Sequence, residues 1–125
     1  MPIHIIIDGY NLIRQSSALS DLDEQDIQLG REALIDQLAA YKRLKGHRIS
    51  VVFDGQNAST TYSRRDRVKG IDILFSSVGE LADTAIKRMV SGEKERAIVV
   101  TSDREIESYA SARGANVCLL YTSDA

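Results

Sequence analysis

Four aspartates occupy positions from which their carboxylates could meet in one site. Three of them follow short apolar runs, and the fourth lies in a helical pattern just before the last such run: Asp8, Asp54, Asp103 and Asp83. Ligands of open α/β sheets bind outside the carboxyl ends of the strands. The spacing therefore predicts that these carboxylates share one edge of a parallel sheet and form an acidic catalytic centre.

A cluster of carboxylates calls for a cation, because like charges held close together repel and raise each other's pKa. Oxygen ligands without a nearby His or Cys favour a hard ion, and we predict Mg²⁺ or Mn²⁺ as the cofactor. One ion would lower the pKa of a bound water, and a second, roughly 3.5–4 Å away, would stabilise the leaving oxygen of a phosphodiester. The number of ions is left open by the sequence.

Three of the aspartates also have structural explanations. Asp8-Gly9 and Asp54-Gly55 are common turn dipeptides. Ser102–Glu105 matches the S-x-x-E capping box, so Asp103 would then lie at the start of a helix. Taken singly, each acid is explained about equally well by structure or by chemistry, and their convergence on one edge favours chemistry.

The two remaining polar candidates lie in helices. Asp83 falls in the first turn of its helix, where the helix dipole favours an anion, although a helical wheel places it at the border of the apolar arc beside Val90. Asn11 is predicted either to cap a short helix that begins at Leu12 or to orient Asp8 or a metal-bound water. We include both residues in the candidate site.

Apolar runs separated by helical patterns indicate an α/β fold. The runs are rich in β-branched residues, and three are continuously apolar, as expected for strands covered on both faces. The predicted strands are Ile3–Ile7, Ile49–Phe53, Ile71–Phe75 near an edge, Ala97–Thr101, and Ala115–Leu120 as the start of a fifth. Helices are predicted from Ile27 to Lys45-Gly46, from Glu80 to Val90 before Gly92, and from Asp103 to Gly114. The order predicts an open, doubly wound parallel sheet of four to five strands between helices.

A basic segment follows the second predicted strand. Residues 63–70 contain four cations and one anion, a local charge of +3 in a chain whose net charge is −2. We predict a loop that grips an RNA backbone by salt-dependent contacts, with an aromatic ring stacked on an unpaired base. A solvated loop is the alternative. The predicted RNA-binding residues are Tyr62, Arg64, Arg65, Arg67, Lys69 and Arg104.

Composition and missing motifs exclude several classes. The 125 residues suit one domain, and 43% hydrophobic with 27% charged residues excludes a disordered or fibrous chain. A single cysteine, Cys118, forms no internal disulfide, and without a signal or membrane segment we expect a cytoplasmic protein. The sequence lacks a P-loop, G-x-G-x-x-G and G-x-S-x-G, which argues against ATPases, dinucleotide oxidoreductases and serine hydrolases. His4 is predicted to be packed in a strand, and His47 to be exposed.

Four motifs in order carry a family resemblance: IIIDGYNLI, VVFDG, ELADTAIKRMV and VVTSDREI. Together they resemble the YacP-like branch of the NYN-domain proteins, over residues 3 to about 117. The resemblance implies a PIN-like nuclease fold in which Asp8, Asp83 and Asp103 bind Mg²⁺ or Mn²⁺. Asn11 would be the polar partner of the first motif and Asp54 an additional acid.

The same resemblance implies an endoribonuclease that acts on single-stranded RNA and, in this branch, on messenger RNA at the ribosome. The family continues beyond the end of this sequence. Residues 118–125, CLLYTSDA, resemble a translated sequencing adapter, so we expect the domain to comprise residues 1–117 and treat 118–125 as a tail of doubtful origin.

Two other functions compete with a nuclease. A non-catalytic RNA-binding or adaptor domain of the same fold would bind RNA without metal-dependent cleavage. A response-regulator phosphoacceptor would have two adjacent acids after the first strand and a lysine after the last, whereas Asp8 is followed by Gly9 and Tyr10.

Overall fold

The computed structural model of the chain describes residues 3–53, 65–76 and 82–119. The helices and strands alternate along most of this length, as the apolar runs predict. The strands are β1 (His4–Asp8), β2 (Arg48–Phe53), β3 (Arg65–Val68), β4 (Ile71–Phe75), β5 (Ala97–Thr101) and β6 (Asn116–Leu119). The helices are α1 (Gly9–Gln15), α2 (Ser17–Gln25), α3 (Ile27–Lys45), α4 (Ala82–Glu93) and α5 (Arg104–Ala112), with a 3₁₀ turn at Lys94–Arg96.

Within the described residues, one sheet contains six strands in the order β3-β4-β2-β1-β5-β6. Every neighbouring pair is parallel except β3 and β4, which are antiparallel. The α/β class and the mostly parallel sheet are confirmed, and the expected start of a fifth strand is found as β6. The predicted number of four to five strands is wrong, because the structure adds β3 and thereby places β4 second from the edge.

Strand β3 occupies part of the basic segment that we predicted as a loop. Its residues are RDRV, and three of the four are exposed, so no apolar run marked it. Charged side chains are common on edge strands, where they discourage pairing with another chain. Lys69 and Gly70, with φ of 55° and 82°, form the two-residue connection to β4. Positive φ at both positions is typical of a type I′ hairpin turn.

The long helix α3 agrees with its predicted bounds. The Asp26 side chain caps its first turn by accepting a hydrogen bond from the Gln28 N–H at 2.9 Å. Gly46, with φ of 76°, ends it in the left-handed conformation that glycine adopts readily. The α4 pattern is confirmed in part, since the described helix begins at Ala82 and continues through Gly92 to Glu93 instead of stopping there.

Two helical layers enclose the sheet and create two apolar cores. Helices α1–α3 pack on the face that carries Ile5, Ile7, Val51 and Phe53. Helices α4 and α5 pack on the opposite face, over a cluster that includes Ile6, Val52 and Val99. Strands β1 and β2 are therefore covered on both faces, which explains their unbroken apolar runs. Among the described residues, no helix is both long and apolar enough to cross a membrane.

Candidate functional site

The ends of β1 and β5 bring two of the predicted acids to the same edge. Asp8 is the last residue of β1, and Thr101 is the last residue of the neighbouring parallel strand β5. The Thr101 hydroxyl donates to Asp8 Oδ2 at 3.2 Å and accepts from the Asp103 backbone N–H at 3.0 Å. Thr101 thus connects the Asp8 carboxylate to the start of α5, a role that the sequence analysis missed.

Asp103 lies at the start of α5, as one of its two predicted roles required, and it also caps the helix. Its Oδ1 accepts from the backbone N–H groups of Glu105 at 2.8 Å and Ile106 at 3.3 Å. The N-cap of α5 is therefore Asp103 itself and not Ser102, which the capping-box pattern predicted. Because Asp103 is half-buried at the sheet edge, capping and chemistry are compatible in this residue.

Asn11 lies inside α1 and does not cap it. The helix begins at Gly9, directly after Asp8, so the predicted start at Leu12 is wrong. The Asn11 Oδ1 instead accepts from the Ser102 backbone N–H at 2.7 Å, which fastens α1 to the connection between β5 and α5. The carboxyl edge is held together by this bond and by Thr101.

Gly9 is required by close packing at the same edge. A Cβ at this position would lie 2.5 Å from a ring carbon of Phe53, at the end of β2. Contacts that short do not occur without displacement of a neighbour. The Asp8-Gly9 pair is therefore more than a turn dipeptide, because its glycine lets α1 start against β2 and so fixes the position of Asp8.

Burial and repulsion both act on Asp8. Burial is the main reason that the pKa of this carboxyl rises from 3.8 to about 6. The Thr101 hydrogen bond and the charge of Arg14 oppose the rise, whereas the charges of Asp103 and Asp83 add to it. The three predicted ligands therefore interact electrostatically, and the field at Asp8 is one that a cation would relieve.

Asp83 lies in the first turn of α4, and its side chain is mostly buried. Its Oδ1 is buried and has no hydrogen-bond partner among the described residues, while its Oδ2 lies 4.0 Å from Lys87 Nζ. Lys87 also contacts Glu105, the main cause of its raised pKa, to which the charges of Asp83 and Asp103 also contribute. Lys87 is not among the predicted site residues, although its i, i+4 spacing from Asp83 is a recognisable signal in the sequence.

The donor chemistry fits a hard divalent cation, but the described residues do not complete its coordination. Carboxylate oxygens of Asp8, Asp83 and Asp103 are suitable ligands, and the buried Oδ1 of Asp83 has an unmet need for a positive partner. Within residues 3–53, 65–76 and 82–119, however, no three His, Cys, Asp or Glu side chains are grouped closely enough to hold one ion. Asp54, the additional predicted acid, lies outside the described residues.

The predicted RNA-binding residues fall in three places. Arg65 and Arg67 lie on β3, and Lys69 lies in the turn that follows, where it forms an exposed ion pair with Asp36. Arg104 is the exposed first residue of α5, next to Asp103. Tyr62 and Arg64 lie outside the described residues. His4 is buried, as predicted, with Nε2 at 2.7 Å from the Ser50 hydroxyl.

Comparisons with known proteins identify a family. Residues 5–120 match the family model described as a YacP-like NYN domain. The chain is 28% identical over 102 residues to the uncharacterized protein YacP of Bacillus subtilis (strain 168). That alignment covers 79% of this chain and 59% of the relative, so the chain spans about three fifths of the length of this curated relative.

Solved structures show the same relationship. The fold is similar to that of Rae1 (YacP) from Bacillus subtilis, with a TM-score of 0.77 and 28% identity, over 96% of this chain and 70% of the other. A mutant of the same protein gives a TM-score of 0.76 and 26% identity, over 94% of this chain and 69% of the other. The expected PIN-like architecture is thereby confirmed.

Proposed function

This chain belongs to the YacP-like NYN domain family, and from this premise we propose that it is a metal-dependent endoribonuclease that hydrolyses phosphodiester bonds in single-stranded RNA. The family has a PIN-like nuclease fold, which supports a nuclease or RNA-related role. Metal dependence, the RNA substrate and the site residues are the finer parts of the proposal. We further propose cytoplasmic messenger RNA on the ribosome as the substrate.

One observation carries the proposal. Asp8 is half-buried at the carboxyl end of β1, and its pKa is raised first by burial and further by the charges of Asp103 and Asp83. Among the described residues, no lysine or arginine forms an ion pair with it. Three acids that repel each other lower the stability of a folded protein unless a cation joins them. Without a metal this arrangement would lower the stability of the fold, whereas the same carboxylates are suited to hold a divalent ion.

The proposed mechanism assigns each residue a task. Asp8, Asp83 and Asp103 would hold Mg²⁺ or Mn²⁺, and Asp54 would be an additional acid of the site. When bound, such an ion lowers the pKa of a water that attacks phosphorus and stabilises the oxygen that leaves. Thr101 keeps the Asp8 carboxylate in one orientation through its hydrogen bond. Asn11 holds the backbone before Asp103 in place.

Binding of the RNA is assigned to the basic residues. Arg64, Arg65, Arg67, Lys69 and Arg104 would contact phosphates, and Tyr62 would stack on an unpaired base. Such contacts give affinity that depends on salt and little on sequence.

The test is a cleavage assay on unstructured RNA with Mg²⁺, with Mn²⁺ and with a chelator. We expect cleavage only with metal, and a loss of more than about 100-fold in Asp8→Asn and Asp103→Asn, since even residues that support metal ligands cost 10–100-fold when mutated. Asparagine also caps helices well, so Asp103→Asn should keep α5 intact. The matched control is Asp21→Asn, an exposed acid of α2.

A non-catalytic RNA-binding domain is the second candidate. Lys87, 4.0 Å from Asp83, favours it, because a lysine among the acids could supply the positive charge without any metal. Metal-independent binding of several RNAs without cleavage would establish this candidate. Undiminished cleavage by both Asp8→Asn and Asp103→Asn would reject the proposed catalytic centre.

A further inference from the structure

A pocket of about 360 Å³ opens on the face of the sheet that α4 and α5 cover only in part. These helices pack mainly over β1, β2, β5 and β6, and the core beneath them contains no residue of β3 or β4. Met89 of α4 forms one wall of the pocket. The charged residues of its lining are three arginines from two separate strands and two acids: Arg48, Arg65, Arg67, Asp66 and Asp72.

Strand register places the pocket on the same face as Asp8. Asp8 pairs with Val52, Val52 with Leu74, and Leu74 with Arg65, so these residues form one row across four strands. Side chains directly opposite each other on neighbouring strands point to the same face. Arg65 therefore lies on the face of Asp8, three strand spacings or roughly 14 Å away.

The adjacent row contains Asp72 of β4 and Arg67, which lies directly opposite it on β3. Ile6, Ser50, Asp72 and Arg67 are in register across the same four strands. Ser50, the buried partner of His4, thus lies between the core under α4 and the arginines. An extended strand of nucleic acid that crosses this face could contact the acidic edge and the pocket together.

Asp72 holds two arginines at once. Arg67 Nε donates to Asp72 Oδ1 at 2.8 Å, and Arg48 Nε donates to Asp72 Oδ2 at 3.2 Å. The Asp72 side chain is 16% exposed, whereas those of Arg48 and Arg67 are 57% and 69% exposed. Each guanidinium uses only Nε in these bonds, and its terminal nitrogens carry four further N–H donors.

The charge state of Asp72 supports this arrangement. Partial burial acts to raise the pKa of its carboxyl, but the hydrogen bonds from Arg67 and Arg48 lower the pKa overall. Asp72 is therefore ionised in neutral solution and keeps both guanidinium groups oriented. Three arginines against two aspartates leave an excess of one positive charge in the lining of the pocket.

We infer that Arg48 and Arg67, oriented by Asp72, bind a backbone phosphate of the single-stranded RNA on the sheet face that carries Asp8. This inference rests on the proposed function and adds to it a defined phosphate site and a path for the strand. Guanidinium groups match phosphate oxygens in pairs, which makes arginine the residue suited to such a site. Arg48 lies far from the basic segment in sequence, and it comes close to Arg67 because β4 lies between their strands, β2 and β3, in the sheet.

The first experiment measures binding of a labelled, unstructured RNA 12-mer in the presence of a chelator, so that cleavage does not contribute. We expect Arg48→Gln and Arg67→Gln each to weaken binding about tenfold, as for loss of a hydrogen bond to a charged group. Each should also reduce the slope of log affinity against log salt by about 0.7. Arg43→Gln, which removes an exposed charge from α3, should bind as the wild type does.

The second experiment tests Asp72 as a positioning residue. Asp72→Asn makes the surface more positive. If the RNA were attracted only by net positive charge, this variant would bind it more tightly. Loss of orientation would instead weaken binding several-fold, and this is the result that we expect. Asp21→Asn changes the net charge equally at a distant site and should leave affinity unchanged. If Asp72→Asn does not fold, as judged by circular dichroism, the two exposed arginine variants decide.

Unchanged affinity in both arginine variants, or tighter binding by Asp72→Asn, would overturn the inference. This failure is separable from failure of the proposed nuclease. Cleavage by the wild type together with normal binding by both Arg48→Gln and Arg67→Gln would rule out the phosphate site and leave the proposed nuclease standing. Arginine-dependent binding without cleavage in Mg²⁺ or Mn²⁺ would keep the phosphate site and remove the nuclease.

Discussion

The pKa of Asp8, at the carboxyl edge of the sheet, and the pKa of Asp72, at the β3–β4 edge, are shifted in opposite directions. Asp8 is bonded to a neutral hydroxyl and repelled by Asp83 and Asp103, and its pKa rises to about 6, mainly through burial. Burial also acts to raise the pKa of Asp72, yet a guanidinium on each oxygen lowers it below the ordinary value. The partners, and not burial alone, decide the sign of the shift.

The two edges therefore differ in the sign of the ligand charge that each would attract. At the acidic edge, the charges of Asp83 and Asp103 raise the pKa of Asp8 in addition to burial, the main cause, and Lys87 lies near Asp83 alone among these acids. At the β3–β4 edge, the pocket is lined by three arginines and two aspartates. Strand register puts Asp8 and Arg67 on one face of the sheet. A cation at the first edge and a phosphate at the second would satisfy both, as expected for a protein that brings a metal and a polyanion together.

The contrast between the two edges fails if the acidic edge, formed by Asp8, Asp83 and Asp103, does not require a cation. Asp83→Asn replaces the carboxylate whose buried Oδ1 has no partner among the described residues. We expect it to weaken Mn²⁺ binding by more than about 100-fold, because loss of a ligand should exceed the cost of losing a residue that merely supports one. The measurement is the rise in melting temperature with increasing Mn²⁺, in the absence of RNA.

The control for this titration is again Asp21→Asn, which should respond to Mn²⁺ as the wild type does. An equal response by Asp83→Asn would show that its carboxylate is not a ligand. Lys87 would then be the cation that serves the acidic edge, and the contrast between the two edges would reduce to a difference in exposure.

A more sensitive test of the contrast replaces Asp8 or Asp72 by asparagine and measures the stability of each variant as a function of pH. The pKa of folded Asp8 lies above its unfolded value, so its charge destabilises the metal-free fold as pH rises through about 6. The difference between 3.8 and about 6 corresponds to roughly 2–3 kcal/mol. Asp8→Asn should therefore be more stable than the wild type at pH 8 by about this amount, and should lose the advantage below pH 4.

Asp72→Asn should show the opposite sign. The lowered pKa of Asp72 means that its charge stabilises the fold above the unfolded value and that this contribution disappears in acid. We expect the variant to be less stable than the wild type at pH 8 and to approach it near pH 3. Urea unfolding of both variants in a chelator measures these differences, and curves with the same sign would contradict the contrast.

Sequence patterns located the elements that are apolar and missed those that are charged or short. The four apolar runs correspond to β1, β2, β4 and β5. Burial on both faces gives β1 and β2 a continuous apolar signal, and burial on one face still gives β4 an alternating one. Strand β3 carries no such signal, since its RDRV side chains face solvent at an edge. Its Lys69-Gly70 turn is also a weak signal, because the usual first residue of such a turn is Asn or Asp.

The sequence predicted where Asp8 and Asp103 lie in the sheet, and it did not predict the partners of the candidate site residues. Strand ends were enough to place Asp8 and Asp103 at one edge, because parallel strands deliver their carboxyl ends together. The roles of Thr101 and Lys87 depend on hydrogen bonds and ion pairs that periodicity does not encode. Arg48 and Asp72 meet only because β2 and β4 are neighbours, which requires the strand order.

The smallest expected effect separates turn geometry from charge at the β3–β4 edge. Lys69 adopts φ of 55° in the hairpin turn, and its exposed ion pair with Asp36 should add little stability. Asparagine tolerates this left-handed conformation better than lysine. Lys69→Asn should therefore raise the free energy of unfolding by up to about 1 kcal/mol, and weaken RNA binding a few-fold through loss of one phosphate contact.

Lys94 provides the matched control for this variant. It also has a positive φ, 51°, but lies just before β5, at the opposite end of the sheet from the acidic edge. Lys94→Asn should gain stability in the same way and leave RNA affinity unchanged. If the two variants weakened RNA binding equally, Lys69 would act only through the total charge of the protein, and the β3–β4 edge would lose its distinction from the rest of the surface.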